Sequence, residues 1–167
     1  MIARPGFVVG RRGAPQHSGV GLWTRDTQVF GWGTGERPLP FVLVTDVADA
    51  LVRMVEMPAA AGRSYNLVGD VPMTAREWVG ELRSQLHRDF RFRPQWIASW
   101  YAEELFKYGI KRAIGRNDAE PPSWRDLATR TAARRFDNSR PKSELGWTPV
   151  ADRTAFLEAA LPERNGG

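Results

Sequence analysis

The sequence contains no cysteine, which excludes disulfide bonds, thiolate nucleophiles and cysteine-ligated metal sites together. Histidine is nearly as scarce, since only His17 and His87 occur, and metal chemistry is therefore not expected. Neither histidine lies in a nucleophile-elbow sequence, so a serine triad is not expected either. The chain also lacks an apolar run long enough to cross a bilayer, and its first residues do not resemble a signal peptide. These absences predict a cytoplasmic protein.

The residues that are present suit a folded, basic protein. The chain has 167 residues, of which 42% are hydrophobic, and this is enough for one domain with a buried core. The net charge is +5, and residues 83–135 contain 12 basic against 6 acidic residues. Two interpretations of this basic segment stay open. It is a surface for a phosphate-bearing partner, either nucleic acid or a nucleotide-linked small molecule, or it consists of arginines on solvated helical faces.

The clearest local pattern runs over residues 39–57. Residues 41–44 are β-branched and aromatic, which predicts a buried strand, and a helical pattern follows without an intervening glycine or proline. Thr45 or Asp46 is expected to cap this helix, and Pro58 is expected to end it. One face of the helix is apolar and is predicted to be buried; its members are Val47, Ala48, Leu51, Val52 and Val55.

Other segments also carry local signals. Thr74 is followed three residues later by Glu77, which predicts a capping box and a helix after it. Residues 63–68 alternate between apolar and polar side chains and predict a strand. Residues 22–26 fit either a short helix or a loop. Further helices are predicted over residues 95–114, 123–127, 141–145 and 152–161.

Two patterns, one typical of dinucleotide binding and one of acid/base catalysis, are incomplete. The glycines at positions 31, 33 and 35 have a GxGxG spacing, but Pro38 and Pro40 forbid the helix that would point at a pyrophosphate. This segment is therefore predicted to be a turn between two strands. Tyr108 and Lys111 are three residues apart instead of four, so they do not make a tyrosine–lysine acid/base pair.

Four stretches, in order, resemble the C-terminal half of extended short-chain dehydrogenases/reductases, the NAD-dependent epimerase/dehydratase family. They are RPGFVVG at 4–10, LPFVLVTDVADAL at 39–51, SYNLVGD at 64–70 and FDNSRPKSELGWTP at 136–149. The resemblance covers almost the whole chain. It implies an α/β protein, α+β in isolation, with a few short strands and about five helices that form the substrate-binding part of a Rossmann-type enzyme.

In this family an N-terminal Rossmann half binds NAD or NADP and carries the catalytic Ser/Thr, Tyr and Lys, while the C-terminal half shapes the substrate pocket. This sequence lacks the glycine fingerprint, the acidic ribose-binding residue and the YxxxK pair. Residues 1–167 are therefore expected to be a single partial domain without catalytic residues, inactive alone. Residues 1–10 are expected to be the end of a Rossmann strand and a cofactor-facing loop. That strand is expected to have lost its sheet neighbours.

The resemblance also implies site residues and partners. The expected substrate is a nucleotide-linked sugar or a related small carbonyl or alcohol, and the expected partner is the missing Rossmann half or a separate subunit that supplies it. The alternatives are a basic nucleic-acid-binding module and a non-catalytic partner of a separate Rossmann subunit. The implied cofactor-binding residues are Pro5, Gly6 and Val8, and the implied substrate-binding residues are Val29, Phe30, Arg37 and Arg130.

Overall fold

The computed structural model describes residues 1–116, 118–131 and 136–161, without the side chains of residues 130 and 131. The strands are β1 (Ile2–Pro5), β2 (Phe7–Val9), β3 (Gly21–Arg25), β4 (Gln28–Gly31), β5 (Pro38–Leu39), β6 (Phe41–Leu43), β7 (Ser64–Leu67), β8 (Met73–Thr74) and β9 (Arg91–Arg93). The helices are α1 (Val44–Glu56), α2 (Ala75–Leu86), α3 (Ile97–Ala113), α4 (Trp124–Thr131), α5 (Ser139–Leu145) and α6 (Arg153–Ala160), with a short 3₁₀ turn at Pro58–Ala60. Short strands and helices in this order confirm the predicted fold class.

The strands form small sheets instead of one continuous sheet. Strand β1 pairs in parallel with β7, and β2 pairs in parallel with β6. Strand β4 lies between β3, to which it is antiparallel, and β9, to which it is parallel, while β5 and β8 form an antiparallel pair. Residues 22–26, for which the sequence left helix or loop open, lie mainly in strand β3.

Gly6 marks the point where the first strand changes partner. Its N–H donates to the carbonyl of Leu67, and the next N–H, that of Phe7, donates to the carbonyl of Pro40. A Cβ atom at position 6 would lie 2.0 Å from the Pro40 oxygen, so only glycine allows the two backbones to approach this closely. The expectation that this strand has lost its sheet neighbours is wrong in part, because each half has one partner, β7 for β1 and β6 for β2, and no second partner among the described strands.

Helix α1 begins without the predicted cap. Leu43 occupies the cap position, and neither Thr45 nor Asp46 caps the helix. Asp46 lies inside the first turn with its side chain facing inward, and its Oδ2 accepts from the Val150 N–H at 3.1 Å. Its backbone oxygen also accepts from the Trp147 indole N–H at 2.8 Å. Asp46 therefore attaches the C-terminal segment to α1.

The burial prediction for α1 is also wrong. The buried positions are Asp46, Ala50 and Met54, and small Ala50 allows the helix to approach the core closely. Most of the predicted face is exposed: Leu51 is 43%, Val52 54% and Val55 77% accessible, and Ala48 is also exposed, whereas Val47 is partly buried.

The helix after Thr74 forms as the capping box predicts. The Glu77 N–H donates to the Thr74 hydroxyl at 3.1 Å, and the Thr74 N–H donates to the Glu77 carboxylate at 2.7 Å. Trp78, Val79 and Leu82 on this helix are buried in the larger of two core clusters.

Hydrogen bonds and an ion pair hold residues 136–149 against the end of strand β7. Asn138 Nδ2 donates to the Val68 carbonyl at 2.6 Å, and Lys142 Nζ lies 2.6 Å from the Asp70 carboxylate. Helix α5 ends at Gly146, whose φ of 61° is left-handed and typical of a glycine after a helix. These contacts fasten the segment to the end of β7 and place its motif residues in the scaffold.

Candidate functional site

A cleft of about 1150 Å³ opens beside strand β2. Its walls come from residues 17–20, residues 32–40, the start of α2, residues 94–98 and helix α4. Most of the lining is apolar, and the aromatic side chains that line it are Phe7, His17, Trp32, Trp96, Trp124 and Phe136. Arg37 and Arg76 supply positive charge and Glu36 one negative charge. A small-molecule site usually has this composition, with a few polar groups among many aromatic ones.

Residues 17–20 form a tight turn that is fastened to the core. The Val20 N–H donates to the His17 carbonyl at 3.1 Å, and the Trp23 indole N–H donates to the same carbonyl at 3.0 Å. The Gly19 N–H donates to His17 Nδ1 at 3.0 Å, and the imidazole stacks on Phe7 with 4.6 Å between ring centroids. Burial lowers the pKa of His17, so the ring is neutral at physiological pH.

The opposite wall is held by a two-residue bridge. Gly33 and Gln95 exchange backbone hydrogen bonds of 3.1 and 3.2 Å, which fixes residues 32–35 against residues 94–98. Trp32 lies 5.3 Å from Trp100 between ring centroids, and its indole N–H donates to the Ser18 carbonyl at 2.8 Å. The side chain of Trp32 therefore connects α3 to the turn at residues 17–20.

The two arginines of the cleft differ in how they are held. Arg76 Nε donates to the Thr34 carbonyl at 2.7 Å, and its guanidinium lies 5.5 Å from the centre of the Phe92 ring. Arg37 is exposed and makes no hydrogen bond or ion pair with any residue that the structure describes. A guanidinium that is open to the cleft is suited to an anionic ligand, because its N–H donors match carboxylate and phosphate oxygens.

The structure brings only one of the implied substrate-binding residues with a described side chain, Arg37, into the cleft. Val29 is fully buried in the core, and Phe30 lies under the guanidinium of Arg93, 5.9 Å from its ring centre. Arg130 belongs to α4, but its side chain lies outside the described residues.

The implied cofactor-binding residues lie at the β1–β2 switch and do not line the cleft, although Phe7 between them does. Their role stays a prediction. The cleft residues that the sequence missed include His17, Trp32, Trp96 and Trp124. The three tryptophans share one signal, an aromatic ring next to glycine or at the start of a helix, whereas His17 lies between Gln16 and Ser18 and has no such signal.

Neither a metal site nor a membrane-spanning helix is found among the described residues. No group of three or more histidine, aspartate and glutamate side chains there is placed to hold a metal ion. No helix in the same part of the chain combines the length and apolarity needed to cross a membrane.

Comparison by sequence finds neither a protein-family model nor a curated protein that matches the chain. Comparison by structure does find matches. The protein gox2253 is 20% identical with a TM-score of 0.65, over 95% of this chain and 47% of its own. The UDP-glucuronic acid 4-epimerase of Bacillus cereus is 14% identical with a TM-score of 0.56, over 96% of this chain and 43% of its own. The protein RMD of Pseudomonas aeruginosa is 18% identical with a TM-score of 0.55, over 95% and 46%.

The chain shares its fold with part of each of these three structures, which confirms the fold that the sequence resemblance implies. It spans less than half the length of the three structures it is compared with. Within this fold, the aromatic cleft and Arg37 are surface features that suit a ligand.

Proposed function

We propose that the chain is the substrate-binding portion of an NAD(P)-dependent epimerase, dehydratase or reductase that acts on a nucleotide-linked sugar. A related small carbonyl or alcohol is the wider substrate class. The observation that carries the proposal is the cleft, which combines aromatic walls with an unpaired Arg37 in a fold shared with NAD-dependent enzymes.

The structural neighbours support the ligand class. The Bacillus cereus epimerase was crystallised with UDP-glucuronic acid and NAD. The MoeE5 structure, with a TM-score of 0.53 and 15% identity, is a complex with UDP-glucose and NAD. The RMD structure is a complex with NADPH. In the chain described here, a nucleobase would stack on exposed indoles such as Trp96, and Arg37 would face the diphosphate.

The outer face of α1 supports the proposed partner, which is a Rossmann half or a separate subunit that supplies it. Leu51, Val52 and Val55 are exposed on this helix, and Ile2 of strand β1 is 56% exposed. Strand β1 pairs only with β7 among the described strands, so its other edge is open. Exposed apolar side chains and an open strand edge are features that a docked partner covers.

The first test is ligand binding by isothermal titration calorimetry. UDP and UDP-glucose should bind the chain, whereas free glucose should not, because it offers no charge to Arg37. Arg37→Gln should weaken the binding of both nucleotides about tenfold or more, since it removes a charged hydrogen-bond donor. Arg25→Gln on exposed β3 is the matched control and should leave affinity unchanged. Equal affinity of the Arg37 variant and the wild type would contradict the role given to Arg37.

The second test is activity. The chain alone, mixed with UDP-glucose and NAD or NADP, should give no change in nicotinamide absorbance, because the sequence contains no YxxxK pair. An enzymatic rate of hydride transfer from the purified chain would refute the proposal that catalysis needs a separate Rossmann half.

The nucleic-acid alternative gains no support from the basic segment. Several of its cations are already paired, with Arg88 3.6 Å from Asp26 and Lys107 2.7 Å from Glu103. Asp89 lies between Arg83 and Arg91 and is within ion-pair distance of both. A random DNA duplex should therefore bind weakly, without the steep loss of affinity with added salt that extensive phosphate contact produces.

A further inference from the structure

His17 is one of only two histidines, and its two ring nitrogens have different surroundings. Nδ1 accepts the Gly19 N–H at 3.0 Å. Because a backbone N–H can only donate, Nδ1 must be unprotonated, and the neutral ring carries its proton on Nε2. The hydrogen bond inside the turn thus selects the tautomer.

Nε2 is left as an accessible donor. It makes no hydrogen bond to any residue that the structure describes, and it is not buried, because Trp100 Nε1 is the one buried side-chain atom without a partner among those residues. The ring itself is fixed by its stack on Phe7, 4.6 Å between centroids, and by the hydrogen bonds that Val20 and Trp23 donate to the His17 carbonyl. His17 lines the cleft, so a fixed N–H donor stands at its wall.

The charge state of His17 suits this role. Burial lowers the pKa of the imidazole, and no charged group contributes to that shift. The charged side chains that line the same cleft are Glu36, Arg37 and Arg76. Protonation of Nδ1 would place two N–H donors against each other at Gly19 and break the turn's hydrogen bond. The neutral ring is therefore the form that the turn holds.

We propose that His17 Nε2 donates a hydrogen bond to a sugar hydroxyl of the ligand and so positions the sugar in the cleft. This role rests on the proposed function and extends it to a particular substrate group. A neutral donor suits an uncharged oxygen, whereas a guanidinium is the better partner for phosphate, so His17 and Arg37 divide the ligand between them.

Nuclear magnetic resonance of the chain labelled with ¹⁵N-histidine tests the first step. With only two histidines, the long-range ¹H–¹⁵N spectrum contains two sets of ring signals, and His87 at the end of α2 is the internal control. At pH 7, His17 should have a protonated Nε2 and an unprotonated Nδ1. UDP-glucose should move the His17 Nε2 signal and leave the His87 signals in place, whereas UDP should move neither.

Two variants test the second step by calorimetry. In His17→Asn the amide oxygen can replace Nδ1 as acceptor for Gly19, whereas Nε2 is removed; in His17→Phe the ring stack is kept, whereas both nitrogens are lost. Both variants should weaken the binding of UDP-glucose about three- to tenfold and leave the affinity for UDP unchanged, as expected for one lost hydrogen bond to the sugar. His87→Asn should change neither affinity, because asparagine tolerates the left-handed backbone at position 87.

The outcomes separate this role from the proposed function. Wild-type affinity for UDP-glucose in both His17 variants, or a proton on Nδ1 at pH 7, would overturn the role of His17 and leave the proposed function intact. Equal weakening of UDP and UDP-glucose would overturn the assignment to the sugar. If the wild type bound neither nucleotide, the proposed function would fail, and the role of His17 would fail with it.

Discussion

Replacing Trp147 with phenylalanine tests how the C-terminal segment is fastened to the rest of the chain. Trp147 is 1% exposed, and its indole N–H donates to the Asp46 carbonyl at 2.8 Å. Trp147→Phe removes this hydrogen bond, which is worth about 1 kcal/mol. The smaller ring also leaves a cavity in the core cluster around α1, which costs about 1–2 kcal/mol. We therefore expect the free energy of unfolding to fall by about 2–3 kcal/mol.

Urea unfolding followed by far-ultraviolet circular dichroism measures this change as a lower midpoint with an unchanged m value. Trp96→Phe is the matched control, because Trp96 is 75% exposed and the same substitution there should change stability by less than about 0.5 kcal/mol. A Trp147 variant as stable as the wild type would refute the reasoning. So would equal losses in the two variants, because burial and the hydrogen bond would then not determine the cost.

Two further predictions concern buried polar contact and backbone packing. Burial raises the pKa of the Asp46 carboxyl above its ordinary value of 3.8. Below that pH the carboxyl is protonated in both states and costs no stability; as the pH rises from there through the folded-state pKa, the carboxyl increasingly lowers the free energy of unfolding. Asp46→Asn keeps an acceptor for the Val150 N–H and should melt at the same or a higher temperature at pH 7, with any gain vanishing near pH 4. Gly6→Ala should lower the free energy of unfolding in urea by about 2 kcal/mol or more, because its Cβ meets the Pro40 oxygen. Gly80→Ala, at an exposed position of helix α2 with nothing within 4 Å, should raise it by up to about 1 kcal/mol.

The elements that the sequence predicted correctly are those whose signals are local. Thr74 and Glu77 are three residues apart and satisfy each other's backbone within one helical turn, so their spacing is sufficient information. Asp152 likewise caps the last helix by accepting the Ala155 N–H at 2.8 Å. Gly146 ends α5 because a left-handed residue is needed there.

The parts that the sequence did not predict depend on contacts between distant residues. Asp46 has the residue type of a helix cap, but it lies inside the first turn, and its carboxylate accepts from the N–H of Val150, 104 residues away. Residues 21–25 become a strand because β4 pairs with them, which no signal within those five residues specifies. The helix or strand preference of a short segment predicts its structure poorly when pairing with a distant segment decides that structure.

The candidate site was predictable only in part for the same reason. Arg37 could be named because an arginine near a family motif has an obvious chemistry. His17 could not be named from the sequence, because its suitability as a donor depends on which ring nitrogen is already hydrogen-bonded. The fold of a glycine-rich turn decides this. Trp32 and Trp96 are far apart in sequence and line the same cleft where Gly33 and Gln95 bridge their two loops.

The apolar residues of helix α1 explain both the wrong burial prediction and the proposed docking of a partner. Its apolar residues are too many for one face, since Ala50 and Met54 already fill the contact with the core while Leu51, Val52 and Val55 remain outside. A helix with apolar residues on opposite sides is buried between two layers in most folded proteins. The described residues supply one layer. The second layer is what a Rossmann half would provide, so the pattern that misled the burial prediction is the same pattern that supports docking on this face.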